Sequence, residues 1–202
     1  CLLMNTYNRY IDNIFILNSE NGMMTYSKFI EFSKIYSNDI NILSNADIFF
    51  DESIDLCRHM AEEDAYALSR WDLPDGTIES KFLDAHIVNG QSRAQDVWVV
   101  KGKVKEGING EFCLGQRGCD NVFAAELESV GYNVTNPCLD IIAYHLHTAS
   151  FRTSSQHSTV DGARKYLKPC NLKYLESLED KKITIYTFYT DTHKNFYDEY
   201  FL

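Results

Sequence analysis

The sequence predicts an α/β domain with a mixed, mainly parallel central sheet flanked by helices. Strand-like and helix-like segments alternate along the chain, which is typical of this class. The short, continuously apolar run at 40–43 is typical of a strand that is buried on both faces of a parallel sheet. A length of 202 residues, of which 45% are hydrophobic, suits one domain with a continuous core. We therefore expect residues 1–202 to form a single domain.

The N-terminal half is predicted to alternate between helices and strands. The opening residues resemble the end of a helix, and the stretch 10–18 that follows is predicted to be a strand. Apolar side chains near helical spacing predict a helix over 25–37. The apolar run 40–43 is predicted to be a strand that ends in a polar loop, and the acidic start of 51–60 predicts a further helix.

The C-terminal half is predicted to continue this alternation. Turn residues separate the next two strands, Gly131 marks the end of a short helix, and a polar, weakly periodic stretch predicts a long loop. In chain order these elements are strands 65–71 and 96–102, helix 120–131, strand 140–147, loop 148–169 and strand 183–189.

The two ends of the sequence complement one another. Residues 183–202 are predicted to form a strand, a loop and the start of a helix, and this helix would continue naturally into the opening residues of the chain. We expect 183–202 to supply the first strand and helix of the fold in a permuted chain or a tandem array, or else to begin a following domain. Neighbouring domains of a larger chain are therefore among the expected partners.

Charge and cysteine usage restrict the function classes. A net charge of -10 argues against a protein that binds duplex nucleic acid, which needs a basic face. No apolar run reaches the roughly 18 to 20 residues that span a bilayer, so we expect no transmembrane segment. The six cysteines have no CxxC spacing, which favours reduced thiols and a cytoplasmic location.

The polar loop after 40–43 is the first candidate site. It contains Asn45, Asp47 and Asp51, at the carboxyl end of a predicted strand. Carboxylates there can hold a hard divalent cation that neutralises a diphosphate. The alternative is that the acids cap the next helix. The sequence leaves both roles open for Asp47 and favours the cap for Asp51.

The glycine-flanked segment 115–121 is the second candidate. It places Asp120 at the start of a predicted helix, where a carboxylate can deprotonate an acceptor hydroxyl. As an isolated residue, Asp120 is interpreted more simply as a helix N-cap.

Two further segments carry possible ligands. Alternation along a strand sends His145 and His147 to the same face, where they could contact a metal or a phosphate, or else form hydrogen bonds within the core. Arg70 and Trp71 end one predicted strand and Asp96 begins another, so that they could line a sugar site. Packing of both tryptophans, Trp71 and Trp98, in the core is the simpler alternative.

Several segments, taken in order, resemble the GT-A-fold glycosyltransferase-like domains known from large algal viruses and bacteria. The resemblance covers roughly residues 1–150 and, if it supplies the first strand, the tail from Ile183. It rests on MTYSKF, NILSNADIFFDESI, ALSRWD, QDVWVVKG, CLGQRGCDNVFAAELESVGYNVTNP and IIAYHLH.

The resemblance implies a metal site and a catalytic base. GT-A enzymes bind Mn²⁺ or Mg²⁺ through a DxD motif, whose matching positions here are Asn45-Ala46-Asp47. Asn45 replaces the first acid, which leaves Asp47 as the main metal ligand. The match also implies that His145, or alternatively His147, contacts the metal or the diphosphate, and that Asp120 is the catalytic base if the enzyme inverts.

The resemblance further implies two sets of binding residues. The nucleotide would be bound by Thr187, Phe188, Tyr189, Thr25, Tyr26 and Asn45. The sugar and acceptor would be bound by Arg70, Trp71, Asp96, Asn121 and His147.

These observations lead to one functional hypothesis and two alternatives. The hypothesis is a metal-dependent glycosyltransferase that moves a hexosyl or deoxyhexosyl group from a nucleotide sugar, most simply a UDP-sugar, to a hydroxyl of a glycan acceptor. The first alternative, suggested by Asn45, is an inactive GT-A-like module that binds glycans or nucleotides within a larger protein. The second is a hydrolase of sugar nucleotides that uses the same site.

Overall fold

The computed structural model describes residues 1–17, 24–73, 81–82, 87–88, 90–92, 94–146, 158–173 and 180–188. The helices are α1 (Leu2–Tyr7), α2 (Tyr26–Ile35), a 3₁₀ helix (Glu52–His59) and α3 (Cys119–Ser129). The strands are β1 (Asn13–Leu17), β2 (Ile40–Asn45), β3 (Ile48–Phe50), β4 (Asp64–Leu68), β5 (Trp71–Leu73), β6 (Lys81–Phe82), β7 (Ile87–Val88), β8 (Gln91–Ser92), β9 (Val97–Lys101), β10 (Asn133–Thr135), β11 (Ala143–Leu146) and β12 (Ile183–Phe188).

A six-stranded sheet in the order β1-β12-β2-β9-β4-β10 forms the centre of the fold. Every neighbouring pair is parallel except the two pairs that β9 makes with β2 and β4. Because β9 runs in the opposite direction, its first residue, Val97, pairs with Ser44 and Leu68 near the ends of β2 and β4. The predicted α/β class with a mixed, mainly parallel sheet is confirmed.

A smaller sheet in the order β3-β11-β5-β6 extends from the edge of the central sheet at which β2 and β4 end. The chain passes from β2 into β3, and from β4 into β5, within a few residues. His145 of β11 pairs in register with Ile48 of β3 on one side and with Asp72 of β5 on the other. The backbone N–H of Leu146 donates to the carbonyl of Asp47, 3.0 Å away. The smaller sheet therefore carries His145 to the carboxyl end of β2.

The apolar core lies on both faces of the central sheet. Leu43 of β2 and Trp98 of β9 belong to the cluster that α2 and α3 cover. Their strand neighbours Ile42 and Val99 belong to the opposite cluster, which the 3₁₀ helix covers. Because successive strand residues face opposite sides, both layers need apolar residues, which explains the continuous apolar run of β2. The alternative interpretation of Trp98 as a core residue is confirmed.

Most predicted elements are present, with three informative differences. The predicted strand 65–71 is divided into β4 and β5, because the N–H of Ser69 donates to the side chain of Asn136 where the chain leaves the central sheet. The predicted helix 51–60 is a 3₁₀ helix. The predicted helix 25–37 is shorter, and Ile35 at its end is exposed.

The strand predicted at 183–189 is present as β12, which lies between β1 and β2 and is parallel to both. Residues 189–202 and residues 148–157 of the predicted loop 148–169 lie outside the described residues. In the part of the chain that the structure describes, no helix has the length and apolar composition needed to cross a membrane.

Candidate functional site

The candidate site lies where the two sheets meet, at the carboxyl ends of β2 and β4. Ligands of α/β proteins bind at this edge because the loops that follow parallel strands converge there. Six ionisable side chains from five separate segments come together: Asp47, Arg70, Asp72, Asp96, Asp120 and His145.

Arg70 lies at the centre of this cluster. Its Nε donates to Oδ1 of Asp72 at 3.0 Å, and its Nη1 donates to Oδ1 of Asp96 at 3.1 Å. Burial disfavours the charged guanidinium, but the negative charges of Asp96, Asp72 and Asp47 outweigh this effect and raise its pKa. Arg70 is therefore a fixed positive charge that orients two carboxylates.

The two carboxylate oxygens of Asp96 differ in their hydrogen bonding within the described residues. Its Oδ1 accepts hydrogen bonds from Nη1 of Arg70 and from Nδ2 of Asn45, the latter at 3.0 Å. The residue is only 6% exposed, and among the described residues its Oδ2 has no hydrogen-bond partner. Because a buried carboxylate oxygen without a partner is costly, Oδ2 is suited to accept a hydrogen bond from a ligand hydroxyl.

His145 lies between two carboxylates. Its Nδ1 is 2.5 Å from Oδ1 of Asp72, and its Nε2 is 3.0 Å from Oδ2 of Asp47. An ionised carboxylate only accepts hydrogen bonds, so His145 donates in both contacts only when both ring nitrogens carry a proton. Burial favours the neutral ring, but the hydrogen bond and charge of Asp47 outweigh it and raise the pKa of His145.

The distance between Asp47 and His145 would also suit two ligands of one divalent cation. Two ligands at right angles in an octahedral site, with bonds of about 2.1 Å, lie about 3.0 Å apart. This separation is the one found between Oδ2 of Asp47 and Nε2 of His145. A cation there would replace the proton on Nε2. Since Mg²⁺ keeps several water or phosphate ligands, two protein ligands are enough, and these residues fit the implied Mn²⁺ or Mg²⁺.

The described residues contain no group of three or more His, Cys, Asp or Glu side chains that could hold a metal by themselves. The cation would therefore need oxygens from water or from the ligand to complete its coordination. A diphosphate supplies such oxygens.

Asp120 lies on the other side of the cluster, in the first turn of α3. Gly118, whose φ of +83° belongs to the left-handed region, is the N-cap residue and makes room for the turn before the helix. Asp120 is the second residue of the helix, one position inside it, so the capping interpretation of Asp120 is wrong. The reason is that the turn at Gly118 starts the helix two residues earlier than a cap at Asp120 would.

The environment of Asp120 alters its acidity. Burial and the negative charge of Asp96 raise the pKa of Asp120 to about 7. The thiol of Cys119, which donates to Oδ1 of Asp120 at 3.0 Å, and the charge of Arg70 only partly oppose this shift. Asp120 is therefore divided between its acid and base forms near neutral pH.

The predicted nucleotide residues are not all at the surface of the site. Thr187, almost fully buried, lies near the end of β12, and Asn45 at the end of β2 pairs in register with Phe188. Tyr189 lies outside the described residues. Thr25 precedes α2 and bridges to Cys113, and Tyr26 has no exposed surface. Tyr26 packs against Trp98, Phe112 and Phe123. It is therefore a core residue beneath the site and offers no surface to a nucleotide.

Of the predicted sugar and acceptor residues, Arg70 and Asp96 belong to the cluster, whereas the side chains of Trp71 and Asn121 form hydrogen bonds to other parts of the chain. Trp71 is half-buried, and its indole N–H donates to the carbonyl of Cys138 at 2.8 Å. Asn121 is buried, and its Nδ2 donates to Oε1 of Gln95 at 2.7 Å. His147 lies outside the described residues.

The two acids that follow β2 have different roles: Asp47 precedes β3, and Asp51 follows it. Asp51 is the N-cap of the 3₁₀ helix, and its Oδ1 accepts a hydrogen bond from the N–H of Ser53 at 2.9 Å, as predicted. Asp47 instead turns toward His145, which is 98 positions away in the sequence. The alternative left open for Asp47 is thereby decided against capping.

Sequence reasoning missed Asp72. It lies two residues after Arg70, and residues at this spacing in a strand share a face. That alternation, applied to the segment Arg70-Trp71-Asp72, was the available signal.

Comparison with known proteins gives no match: no protein-family model, no curated protein and no solved structure is similar enough to this chain to inform its function.

Proposed function

We propose that this chain is a GT-A-like, metal-dependent glycosyltransferase domain. It would transfer a hexosyl or deoxyhexosyl group from a nucleotide sugar, most simply a UDP-sugar, to a hydroxyl of a glycan acceptor. The observation that carries this proposal is the meeting of Asp47, His145 and Asp120, from three distant segments, at the ligand-binding edge of an α/β sheet. The mixed, mainly parallel sheet supports the GT-A-like assignment.

The donor side of the site would be formed by Asp47 and His145. These residues would hold the divalent cation, which when bound supplies positive charge for the departing nucleoside diphosphate. Arg70 donates hydrogen bonds to Asp72 and to Asp96, so its role would be to fix these carboxylates in place. Asp96 would accept a hydrogen bond from a sugar hydroxyl through its unpartnered Oδ2.

The acceptor side would be formed by Asp120. In an inverting transfer, its carboxylate takes the proton of the acceptor hydroxyl while the acceptor oxygen forms a bond to the anomeric carbon. The bond from that carbon to the diphosphate oxygen breaks, and its electron pair stays on the diphosphate. A pKa of about 7 makes Asp120 a stronger base than an ordinary aspartate and leaves a large share of it ionised at neutral pH.

Calorimetric titration of UDP and UDP-sugars, with Mn²⁺ and then with a chelator, tests this proposal. We expect binding that requires Mn²⁺, that is lost in Asp47→Asn and that is retained in Asp120→Asn. A folded protein that binds no nucleotide under either condition would contradict the proposal.

Product analysis separates the alternatives that share this site. Transfer of the sugar to a supplied glycan acceptor supports the transferase. Release of free sugar even when acceptors are present would indicate a hydrolase of sugar nucleotides. Mn²⁺-dependent UDP binding without turnover of any UDP-sugar would favour the binding module.

A further inference from the structure

Asp72 connects the two positively charged residues of the site. Its Oδ1 is 2.5 Å from Nδ1 of His145 and accepts a hydrogen bond from Nε of Arg70 at 3.0 Å. The side chain is 13% exposed, so water competes weakly for these contacts. The contacts follow from sheet register, because Asp72 of β5 lies directly beside His145 of β11.

This contact decides which nitrogen of His145 faces the donor side. A carboxylate at Nδ1 requires a proton there, so that Nε2 is the nitrogen that can offer a lone pair. Nε2 is the atom that lies 3.0 Å from Oδ2 of Asp47. Metal-binding histidines commonly donate their second N–H to a carboxylate, which fixes both the tautomer and the ring orientation.

We propose that Asp72 is a positioning residue that holds Nε2 of His145 toward the divalent cation. This inference rests on the proposed function, because it assumes that Asp47 and His145 bind the cation. Asp72 itself would not touch the cation or the substrate through Oδ1, since both contacts of that atom are already made.

A purely structural role would give a different result. If Asp72 only neutralised Arg70, its removal would destabilise the cluster but would have no particular effect on metal affinity after the variant has folded. Metal affinity of the folded protein is therefore the informative measurement.

The test is a titration with Mn²⁺, in which electron paramagnetic resonance measures the free ion, on the whole chain with UDP present. We expect Asp72→Ala to weaken Mn²⁺ binding by about 10- to 100-fold. Asp72→Asn keeps an oxygen that can accept from Nδ1 of His145, so it should recover most of this loss. The matched control is Asp140→Ala, because Asp140 is another partly buried carboxylate that accepts two hydrogen bonds, from Asn171 and Leu172.

The outcomes distinguish this inference from its premise. If Asp47→Asn abolishes Mn²⁺ binding while Asp72→Ala binds like the unaltered protein, the role of Asp72 is overturned and the proposed function stands. If Asp72→Asn is as weak as Asp72→Ala, Asp72 acts only through its charge, which also overturns positioning. If Asp47→Asn binds Mn²⁺ normally, the proposed metal site fails and the role of Asp72 fails with it.

A second measurement needs no variant and so does not depend on folding of Asp72→Ala. In the unaltered protein loaded with diamagnetic Mg²⁺ and UDP, nitrogen-15 spectra of the histidines should show His145 protonated at Nδ1 and not at Nε2. A proton on Nε2 in the loaded protein would overturn the inference.

Discussion

Oδ2 of Asp47 lies 3.0 Å from Nε2 of His145, although 98 positions separate the two residues in the chain. Asp47 reaches this place from the turn after β2, and His145 reaches it from the middle of β11. The pair is partly open to solvent on the side of Asp47, whose side chain is 32% exposed. A ligand can therefore approach the pair from outside.

Asp47→Asn should abolish Mn²⁺-dependent UDP binding without unfolding the protein, because Asp47 is partly exposed and its main-chain hydrogen bond to Leu146 remains. Calorimetry with Mn²⁺ measures this loss.

Asp51→Asn is the matched control for Asp47→Asn, since it neutralises the acid on the other side of β3. It should keep UDP binding. Asparagine can still cap the 3₁₀ helix. The free energy of unfolding of this variant should therefore change by less than the roughly 0.5 to 2 kcal/mol that a lost cap costs. Equal loss of UDP binding in the two variants would show that the loop needs negative charge in general and would contradict a specific ligand role for Asp47.

Asp120→Asn should lower the rate of sugar transfer by about 10²- to 10⁴-fold, because an amide cannot take the proton of the acceptor hydroxyl. Affinity for UDP should stay the same, since the donor side does not include Asp120. Rates and binding constants measured on one preparation test both statements. Glu128→Gln, which neutralises an exposed acid on the same helix, should transfer sugar at the unaltered rate. Loss of UDP binding in Asp120→Asn would remove the assignment of Asp120 to the acceptor side.

Stability should depend on pH through Asp120. Its pKa in the folded protein is about 7, above the ordinary value of 3.8, because the carboxyl is enclosed and lies near Asp96. Between these two values the folded state binds the proton more tightly than the unfolded state does, so this group makes the protein less stable as pH rises from about 4 to about 7.

The variant Asp120→Asn lacks this pH-dependent contribution to stability. Urea unfolding at pH 5 and pH 8 should therefore show that Asp120→Asn gains stability relative to the unaltered protein at the higher pH. A stability difference that does not change with pH would contradict the raised pKa.

Asp96→Asn should move the pH dependence of transfer. The rate should rise through about pH 7 in the unaltered protein, as Asp120 becomes ionised. Removing the charge of Asp96 removes a repulsion that raises the pKa of Asp120, so the midpoint should fall below that value. Rates measured across a pH series report the midpoint.

Asp64→Asn is the control for Asp96→Asn, because Asp64 lies at the opposite end of β4 from the site. The midpoint of the pH dependence of transfer in this variant should match that of the unaltered protein. A midpoint that rises in Asp96→Asn would be inconsistent with the coupling of the two carboxyls.

Most elements of this protein could be predicted from local sequence patterns. Hydrophobic periodicity is a local property, so it predicted the α/β class, the buried strand at 40–43 and the helix that contains Asp120. Helix capping is local too, which is why the role of Asp51 was predicted correctly.

The assembly of the site could not be predicted in the same way, because it depends on contacts between distant parts of the chain. Sheet register places Asp72 beside His145, and it is the reversed direction of β9 that brings Asp96 next to Arg70. Depth in the core decided that Tyr26 and Asn121 lie behind the site, with no surface or little surface to offer a ligand. These facts depend on contacts between residues far apart in the chain, and local patterns of hydrophobicity and charge do not encode which distant partner a polar side chain will meet.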